Sequence, residues 1–411
     1  MKYLEWFEYG NIYYKILYIF YGIISVTCIK ELPYVTSIFS ILMVILSFIY
    51  FCIFFKKGYY FKMSKVRYLL VLFLVLQLSS FFVSNNYIAD FIRLVFNVIY
   101  FFIISISIDK NGNNSELEKI FRCCIYIIFP IVFLSLLTYW FKIKFVVNGN
   151  IYGRLDEYEG ANKILTGLTV NVNTLGILSA LLIIFSIHLL ISKKEKYISK
   201  LFLVFNIVIG GITLFHTAAR GAMLTLVAYV FFITIFAIKN KIISMVITLV
   251  SAVSGFAFME KLIKIKGIEK LSTGRSLLWS TAGKVIKENP IFGVGTTAFV
   301  DVVKSNSSVH LPGIEEGGLH NIFIQIATAN GCIALIVFIL FISIVVITGI
   351  RKIVFNTNKD NNKVNISLLS IIISFLVLNL VESGLMYIMS FIALIFWICI
   401  GAFINDIELE Q

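Results

Sequence analysis

The feature that most constrains this chain is the recurrence, from Tyr13 almost to the end, of long apolar runs separated by short polar segments. A bilayer core about 30 Å thick is crossed by about 20 residues of helix. Inside it every backbone N–H and C=O must be satisfied within the segment. Runs that meet this requirement lie at 12–29, 34–55, 68–83, 88–108, 121–140, 166–191, 200–219, 221–238, 242–259, 321–349, 365–380 and 384–404. The expected fold is all-α: a single polytopic transmembrane domain over residues 1–411 with about twelve transmembrane helices. A chain that is 59% hydrophobic and only 14% charged, with a mean hydropathy of +0.95, fits no soluble class.

The formal charge of +13 does not point to nucleic acid, because the basic residues lie in short clusters between apolar runs and never gather into a folded basic domain. They read as topology signals. With a cytoplasmic N-terminus, the internal loops Lys56–Arg67, Asp109–Arg122, Ser192–Lys200, Lys239–Lys241 and Arg351–Val364 hold 18 of the 35 lysines and arginines. The opposite short loops hold only Lys30 and Arg220. This positive-inside asymmetry places both termini in the cytoplasm of a multi-pass protein of the cytoplasmic (inner) membrane. The segments Phe141–Leu165 and Glu260–His320 then lie outside, the second being a large extracytoplasmic loop (260–320) between the ninth and tenth helices.

Glu5 and Glu8 interrupt what would be a signal-peptide n-region, so the first helix is expected to be retained. The six cysteines all lie in apolar segments without metal-ligand spacing, and indicate neither a disulfide framework nor a zinc site.

The large loop concentrates the unusual residues. Thr273-Gly274-Arg275 opens a helical pattern with Leu278, Ala282, Val285 and Ile286 on one face, expected to lie at the membrane surface with Thr273 as N-cap. Arg275 and Trp279, four apart, share a face. Next comes Asn289-Pro290-Ile291-Phe292-Gly293-Val294-Gly295, whose glycines permit tight turns and close approach of a ligand. His320-Asn321 then opens the tenth span. From the residues alone, His320 is a base or a helix-capping, interfacial histidine, and Arg220 is a ligand-binding group or a snorkelling anchor. Asp90 and Arg93, three apart in the fourth span, form a candidate intramembrane ion pair.

Taken in order, the Gly-Arg with a downstream Trp, the Asn-Pro-Ile-Phe-Gly-Val-Gly stretch with Phe299 beyond it, and His-Asn opening a helix that contains Gly331 resemble the O-antigen ligase and O-antigen (polysaccharide) polymerase family. Thr217-Ala218-Ala219-Arg220-Gly221 is similar to that family's Thr-x-Ser-Arg-Gly turn, with Ala219 in place of serine. Arg154 and Asn173 resemble an arginine and asparagine found in the shorter outer loop and following helix, and Glu382 an acidic residue common in the last outer turn.

The resemblance implies a membrane glycosyltransferase that uses polyprenyl (undecaprenyl) diphosphate-linked oligosaccharide and an acceptor glycan at the outer membrane face. Arg154, Arg220 and Arg275 are the implied ligands of the diphosphate and glycan, because guanidinium forks match phosphate oxygens bidentately. Asn321 joins them as a substrate-binding residue or as the group that fixes the tautomer of His320. His320 and Glu382 are the implied catalytic groups. Neither outer loop has an Asp-x-Asp pair, so no metal and no cofactor is expected; Asp156, Glu157 and Glu159 read as a solvated charged loop.

A polymerase joining lipid-linked repeat units, as in capsule or exopolysaccharide biosynthesis, is the leading expectation. An O-antigen ligase handing glycan to a lipid, wall or protein acceptor is the alternative, and a flippase or exporter of lipid-linked oligosaccharide a further one. The last is disfavoured because no internal repeat is visible and the polar residues concentrate in one loop. Other polysaccharide-assembly membrane proteins are candidate partners.

Overall fold

The computed structural model describes residues 2–32, 34–56, 65–84, 86–105, 115–158, 161–192, 196–238, 240–267, 272, 274–311, 313–355, 359–388 and 390–409. It is mostly helical, at 77% helix. In chain order the elements are α1 (Lys2–Ile24), α2 (Val35–Lys56), α3 (Lys65–Gln77), α4 (Ser80–Val83), α5 (Tyr87–Ile99), α6 (Ser115–Trp140), β1 (Lys144–Val147), β2 (Asn150–Tyr158) and β3 (Ala161–Gly167). There follow α7 (Val172–Ile191), α8 (Tyr197–Thr217), α9 (Arg220–Ala237), α10 (Lys241–Lys266), α11 (Arg275–Glu288), α12 (Phe299–Ser305), α13 (Ile314–Gly317), α14 (Ile322–Phe355), α15 (Lys359–Leu378) and α16 (Phe391–Leu409).

Among the described residues, six stretches are long and apolar enough to cross a membrane: Val66–Val83, Glu116–Trp140, Val172–Ile191, Tyr197–Thr217, Arg220–Ala237 and Ile322–Phe355. The apolar helices Ile12–Ile24, Ser37–Leu46, Ile242–Gly255, Asn362–Leu378 and Phe391–Ile404 are shorter. The central helix is α7, apolar all round and buried from Leu175 to Ser186, as a helix surrounded by protein must be. It is packed by α6, α8, α9 and α15. Glycines bring these helices together: a Cβ on Gly176 would lie 2.4 Å from the Cβ of Ala219, and one on Gly210 would lie 2.8 Å from Ile183. Small residues serve this purpose where lipid supplies no hydrophobic drive to associate.

The structure corrects the all-α expectation in one place. Residues 144–167 form a three-stranded antiparallel sheet of order β1-β2-β3, which also delays the start of α7 to Val172. Val147 pairs with Asn150, so the first hairpin turns on Asn148-Gly149, both at positive φ. That pair suits the tight turn whose twist matches antiparallel strands. The sheet sits over the ends of α6, α7 and α8 and is tied down by Leu168 N–H donating to Ser135 Oγ (2.9 Å) and Tyr152 donating to Glu31 (3.0 Å).

A second departure lies inside α14. At Gly331 (φ +85°, ψ 171°) the helix breaks, and the Asn-Pro-Ile-Phe-Gly-Val-Gly segment lies against the break. Cys332 N–H donates to Pro290 O (2.7 Å), Val294 N–H to Thr328 O (2.9 Å) and Gly295 N–H to Ala329 O (2.9 Å). A Cβ on Gly331 would meet Ile291 O at 1.9 Å, and one on Gly293 would meet the Ala329 carbonyl carbon at 2.5 Å. The close approach at Gly293 is therefore to the backbone of α14, and that at Gly295 to Ser84. Irregular backbone in a long apolar helix persists only where protein re-satisfies its polar groups, and this segment does so.

Polar side chains complete the seam. Asp90 Oδ1 accepts from Thr296 (2.6 Å) and Thr297 (3.0 Å), and Asn330 donates to Ser80 (3.1 Å) while accepting from Tyr387 (2.7 Å). Asp90 Oδ1 thus binds the loop; Arg93 lies beyond close ion-pair distance of Asp90 while still feeling its charge.

Candidate active site

The chemistry-bearing residues gather around one turn, Asn379–Gly384, between α15 and α16. The turn is braced internally by Gly384 N–H donating to Asn379 Oδ1 (2.9 Å). Its carbonyls and side chains then receive three helix starts.

The first is α14. Asn321 caps it: Oδ1 accepts from Phe323 N–H (3.0 Å) and Ile324 N–H (3.1 Å), the usual way to satisfy the free N–H groups of a helix start. The same side chain donates to Leu380 O (3.0 Å), and its backbone N–H donates to Ser383 Oγ (2.9 Å). Ile322 N–H donates to Asn379 O (3.0 Å). Oδ1 of Asn321 thus caps α14, while its Nδ2 and backbone N–H tie the helix start to the turn.

The second is α11, whose first residue is Arg275, preceded by Gly274 at φ +80°. Thr273, the anticipated cap, lies outside the described residues. Arg275 donates through Nη1 to Val381 O and lies 3.5 Å from Glu382 Oε1 through Nη2. One turn on, Trp279 Nε1 donates to Leu319 O (2.9 Å), immediately before His320. One face of α11 so grips both segments of the site. Its apolar face, Leu278, Ala282 and Val285, packs with Val294, Phe299, Val303, Leu319 and Ala329 in a separate small core. The amphipathic helix expected on the membrane surface instead buries its stripe in its own loop and α14, because the broken helix presents a complementary apolar surface there.

The third is α9, which begins at Arg220 after a turn closed by Ala218 at φ +52°. Thr217 Oγ1 accepts from Ala219 N–H (3.3 Å) and donates to Leu214 O (2.8 Å). Gly221 lies where a Cβ would be 3.1 Å from Val381, so the exposed Arg220 stands at the edge of the same turn.

Glu382 joins the pieces. Its Oε1 faces Arg275 and its Oε2 lies 3.5 Å from His320 Nδ1. The Arg275, Glu382 and His320 side chains are 16%, 20% and 14% exposed, buried enough that solvent screens the cluster less than a surface pair. His320 itself has φ +46°, a conformation rare for a residue with a Cβ and one that clusters at functional sites. Its Nε2 lies 3.2 Å from Gly313 O.

Arg154 lies apart, on β2, with its guanidinium 5.2 Å from the Tyr139 ring centroid. Tyr139 also stacks on His216, with centroids 3.9 Å apart, which links Arg154 to the helix end just before Arg220. Asn379, Ser383 and Trp279 were not singled out as site residues from the sequence. Only Trp279 left a signal, its place four residues after Arg275. Among the described residues no group of three or more His, Cys, Asp or Glu side chains is placed to hold a metal ion.

None of the curated proteins compared matches the chain. The family model described as O-antigen ligase matches residues 205–339, a stretch that contains Arg220, Arg275, His320 and Asn321 but neither Arg154 nor Glu382, and the resemblance to the O-antigen ligase and polymerase family, with glycan transfer of that type, holds over it.

Proposed function

We propose that this chain is a polysaccharide polymerase that transfers polyprenyl-diphosphate-linked oligosaccharide repeat units onto an acceptor sugar hydroxyl at the outer face of the cytoplasmic membrane. The observation that carries the proposal is the joining of Arg275 and His320 by Glu382, at the meeting point of three helix starts.

An arginine at the first residue of a helix works against the helix dipole, which favours anions there. Arg220 and Arg275 both occupy that position. Such placement costs helix stability, and is explained when the same N-terminus and the guanidinium together meet a diphosphate. The acceptor oxygen attacks the anomeric carbon, the bond from that carbon to the diphosphate oxygen breaks, and the electron pair leaves with the polyprenyl diphosphate. The arginines offset the charge that develops on it.

His320 takes the acceptor proton. Glu382 orients the imidazole by facing Nδ1, leaving Nε2 as the base. With no acceptor bound, Nε2–H donates to Gly313 O (3.2 Å); the acceptor hydroxyl displaces that carbonyl as the ring proton moves to Nδ1 beside Glu382, and Nε2 is then free to act as the base. Asn321 is read as the residue that fixes the start of α14 and thereby the place of His320. Arg154 contributes to glycan or diphosphate binding from the sheet.

The deciding experiment incubates purified protein with a polyprenyl-diphosphate oligosaccharide. Long-chain product is expected. Single transfer to a separate acceptor would make the chain a ligase, and vectorial movement without turnover a flippase or exporter. Turnover is expected to survive chelation, and its loss in chelator with recovery in magnesium or manganese would overturn the metal-independent mechanism. A tag at Ser307 is expected to be labelled from outside the cell; labelling only after permeabilisation would place the site on the wrong side for this function.

A further inference from the structure

Of the three-stranded sheet only Arg154 enters the proposed chemistry, and the edge of the sheet carries an apolar surface that this chemistry does not explain. β3 packs on α6, α7 and α8 and β2 on α6, so the sheet steps outward from the bundle, with β1 as its edge. Val146 and Ile151 are directly opposed across the first hairpin, and therefore share one face of it. They are 65% and 58% exposed. In water an apolar pair on an edge strand is a template for aggregation, which proteins avoid by covering or charging it.

Helix α6 shows what lies beside that edge. It is long and apolar enough to span a membrane, and Tyr126, Pro130 and Leu134, each four residues apart, form an exposed stripe along it. On a spanning helix such a stripe faces lipid. Phe141, seven residues after Leu134, continues the stripe at 71% exposure beside the exposed Trp140. Lys142, exposed and at φ +54°, then turns the chain from helix to strand, and the hairpin with Val146 and Ile151 follows directly.

The same residues set the height of the hairpin. A tryptophan at the end of a span marks the boundary between headgroups and acyl chains. The sheet is tied down at that level: Tyr152 donates to Glu31 in the α1–α2 connection (3.0 Å), and Cys28 N–H of that connection donates to Leu168 O (2.8 Å). An edge strand deep in hydrocarbon would leave backbone groups unsatisfied, whereas at the headgroup boundary water reaches them. Polarity along β2 changes to match, from Ile151 near the first hairpin turn to Asp156 and Glu157 near the second.

We propose that the β1–β2 hairpin is an interfacial membrane anchor: the Val146–Ile151 face, with Trp140 and Phe141, inserts into the adjacent phospholipid leaflet where headgroups meet acyl chains. Lys142 reaches the phosphate layer, with its stem lying along the apolar surface. The anchor holds β2, and with it Arg154, three residues after Ile151, at a fixed height against the headgroup plane.

The test uses the purified full chain carrying Ile151→Trp, reconstituted in phosphatidylcholine vesicles whose acyl chains are unlabelled, brominated near the headgroup or brominated near the chain end. Wild-type emission is subtracted to remove the native tryptophans. Emission of the added indole is expected to fall by about half or more with bromines near the headgroup, since an interfacial side chain sits about 5–10 Å into the leaflet. It should fall less with bromines near the chain end and stay unchanged in aqueous iodide. Quenching by iodide and not by brominated lipid would leave the hairpin in water and overturn the anchor. Quenching by neither would bury the face in protein and overturn it as well, a dimer mass in detergent then naming a second copy as the cover. Where Ile151→Trp does not fold, Val146→Trp reads the same face from the opposing strand. None of these measurements depends on glycan transfer, so the anchor and the proposed function fail independently.

Discussion

The two long segments between apolar helices solve the same problem in opposite ways. Residues 144–158 and 161–167 satisfy their backbone among themselves, through the antiparallel pairings of β1 with β2 and β2 with β3. Residues 289–296 instead satisfy theirs against the break in α14. A segment with its own ladder can sit over helix ends and tolerate change. A segment whose hydrogen bonds belong to a transmembrane helix is mechanically part of that helix, and any group it carries is held with the precision of the bundle. Residues 289–296 carry none of the candidate site residues themselves, but they fix to α14 the loop that runs from Arg275 to His320.

The glycines test that contrast most severely. Gly331→Ala would place a methyl 1.9 Å from Ile291 O at φ +85°, whereas Gly149→Ala in the hairpin, at φ +84°, meets nothing within 4 Å. With the same backbone strain of about 1–2 kcal/mol in both, Gly331→Ala should add at least about 3 kcal/mol from the collision with backbone. Thermal unfolding in detergent, followed by size exclusion, should show loss of the folded peak for Gly331→Ala and a small shift for Gly149→Ala. Equal shifts would show that the loop is no more coupled to α14 than the hairpin is to itself.

Next in size is the effect on turnover. His320→Ala is expected to lower turnover per folded molecule by about 10²–10⁴-fold, the usual worth of a positioned acid or base, with diphosphate affinity retained. A protein that melts early yet turns over normally would reduce His320 to a helix-start residue. Glu382→Gln should fall in the same direction by less, since the amide keeps a contact to Arg275 but no longer bears the charge that orients the imidazole.

The arginines rank below. Arg220→Lys and Arg275→Lys should each be clearly impaired, because the bidentate fork is lost, while Arg154→Lys, whose guanidinium lies over Tyr139 on the sheet and apart from the turn, should be impaired less. Rates measured at saturating donor would check the order, and a defect in Arg154→Lys as large as in Arg275→Lys would move the sheet into the reaction centre. The smallest effect is expected from Lys304→Ala: its ion pair with Glu315, at 2.5 Å, involves side chains 37% and 72% exposed, and solvent screens such exposed pairs until they contribute little.

Much of this was legible in the sequence. Apolar runs of helical length announce spans because lipid leaves no other way to satisfy a backbone, and the Gly-Arg, His-Asn and Arg-Gly positions all became helix starts because capping is a local property. The sheet has a legible signal too: Asn148-Gly149 between residues of strand type is a strong hairpin marker, masked by flanking runs too short to stand out beside the long apolar spans. The break at Gly331 had none, since a single glycine in an apolar run is usual in membrane helices.

By itself the sequence determined the helical class, the position of the helix starts, and the residue types able to handle a diphosphate and a hydroxyl proton, because each depends on neighbours within a few residues. Tertiary structure alone decided that Glu382, more than sixty residues beyond His320 and over a hundred beyond Arg275, stands between them. It alone decided that the glycine-rich segment braces α14, and that Asp90 binds threonines of the loop. These are long-range contacts, chosen by which surfaces close over which in the packed bundle, and no local pattern records that choice.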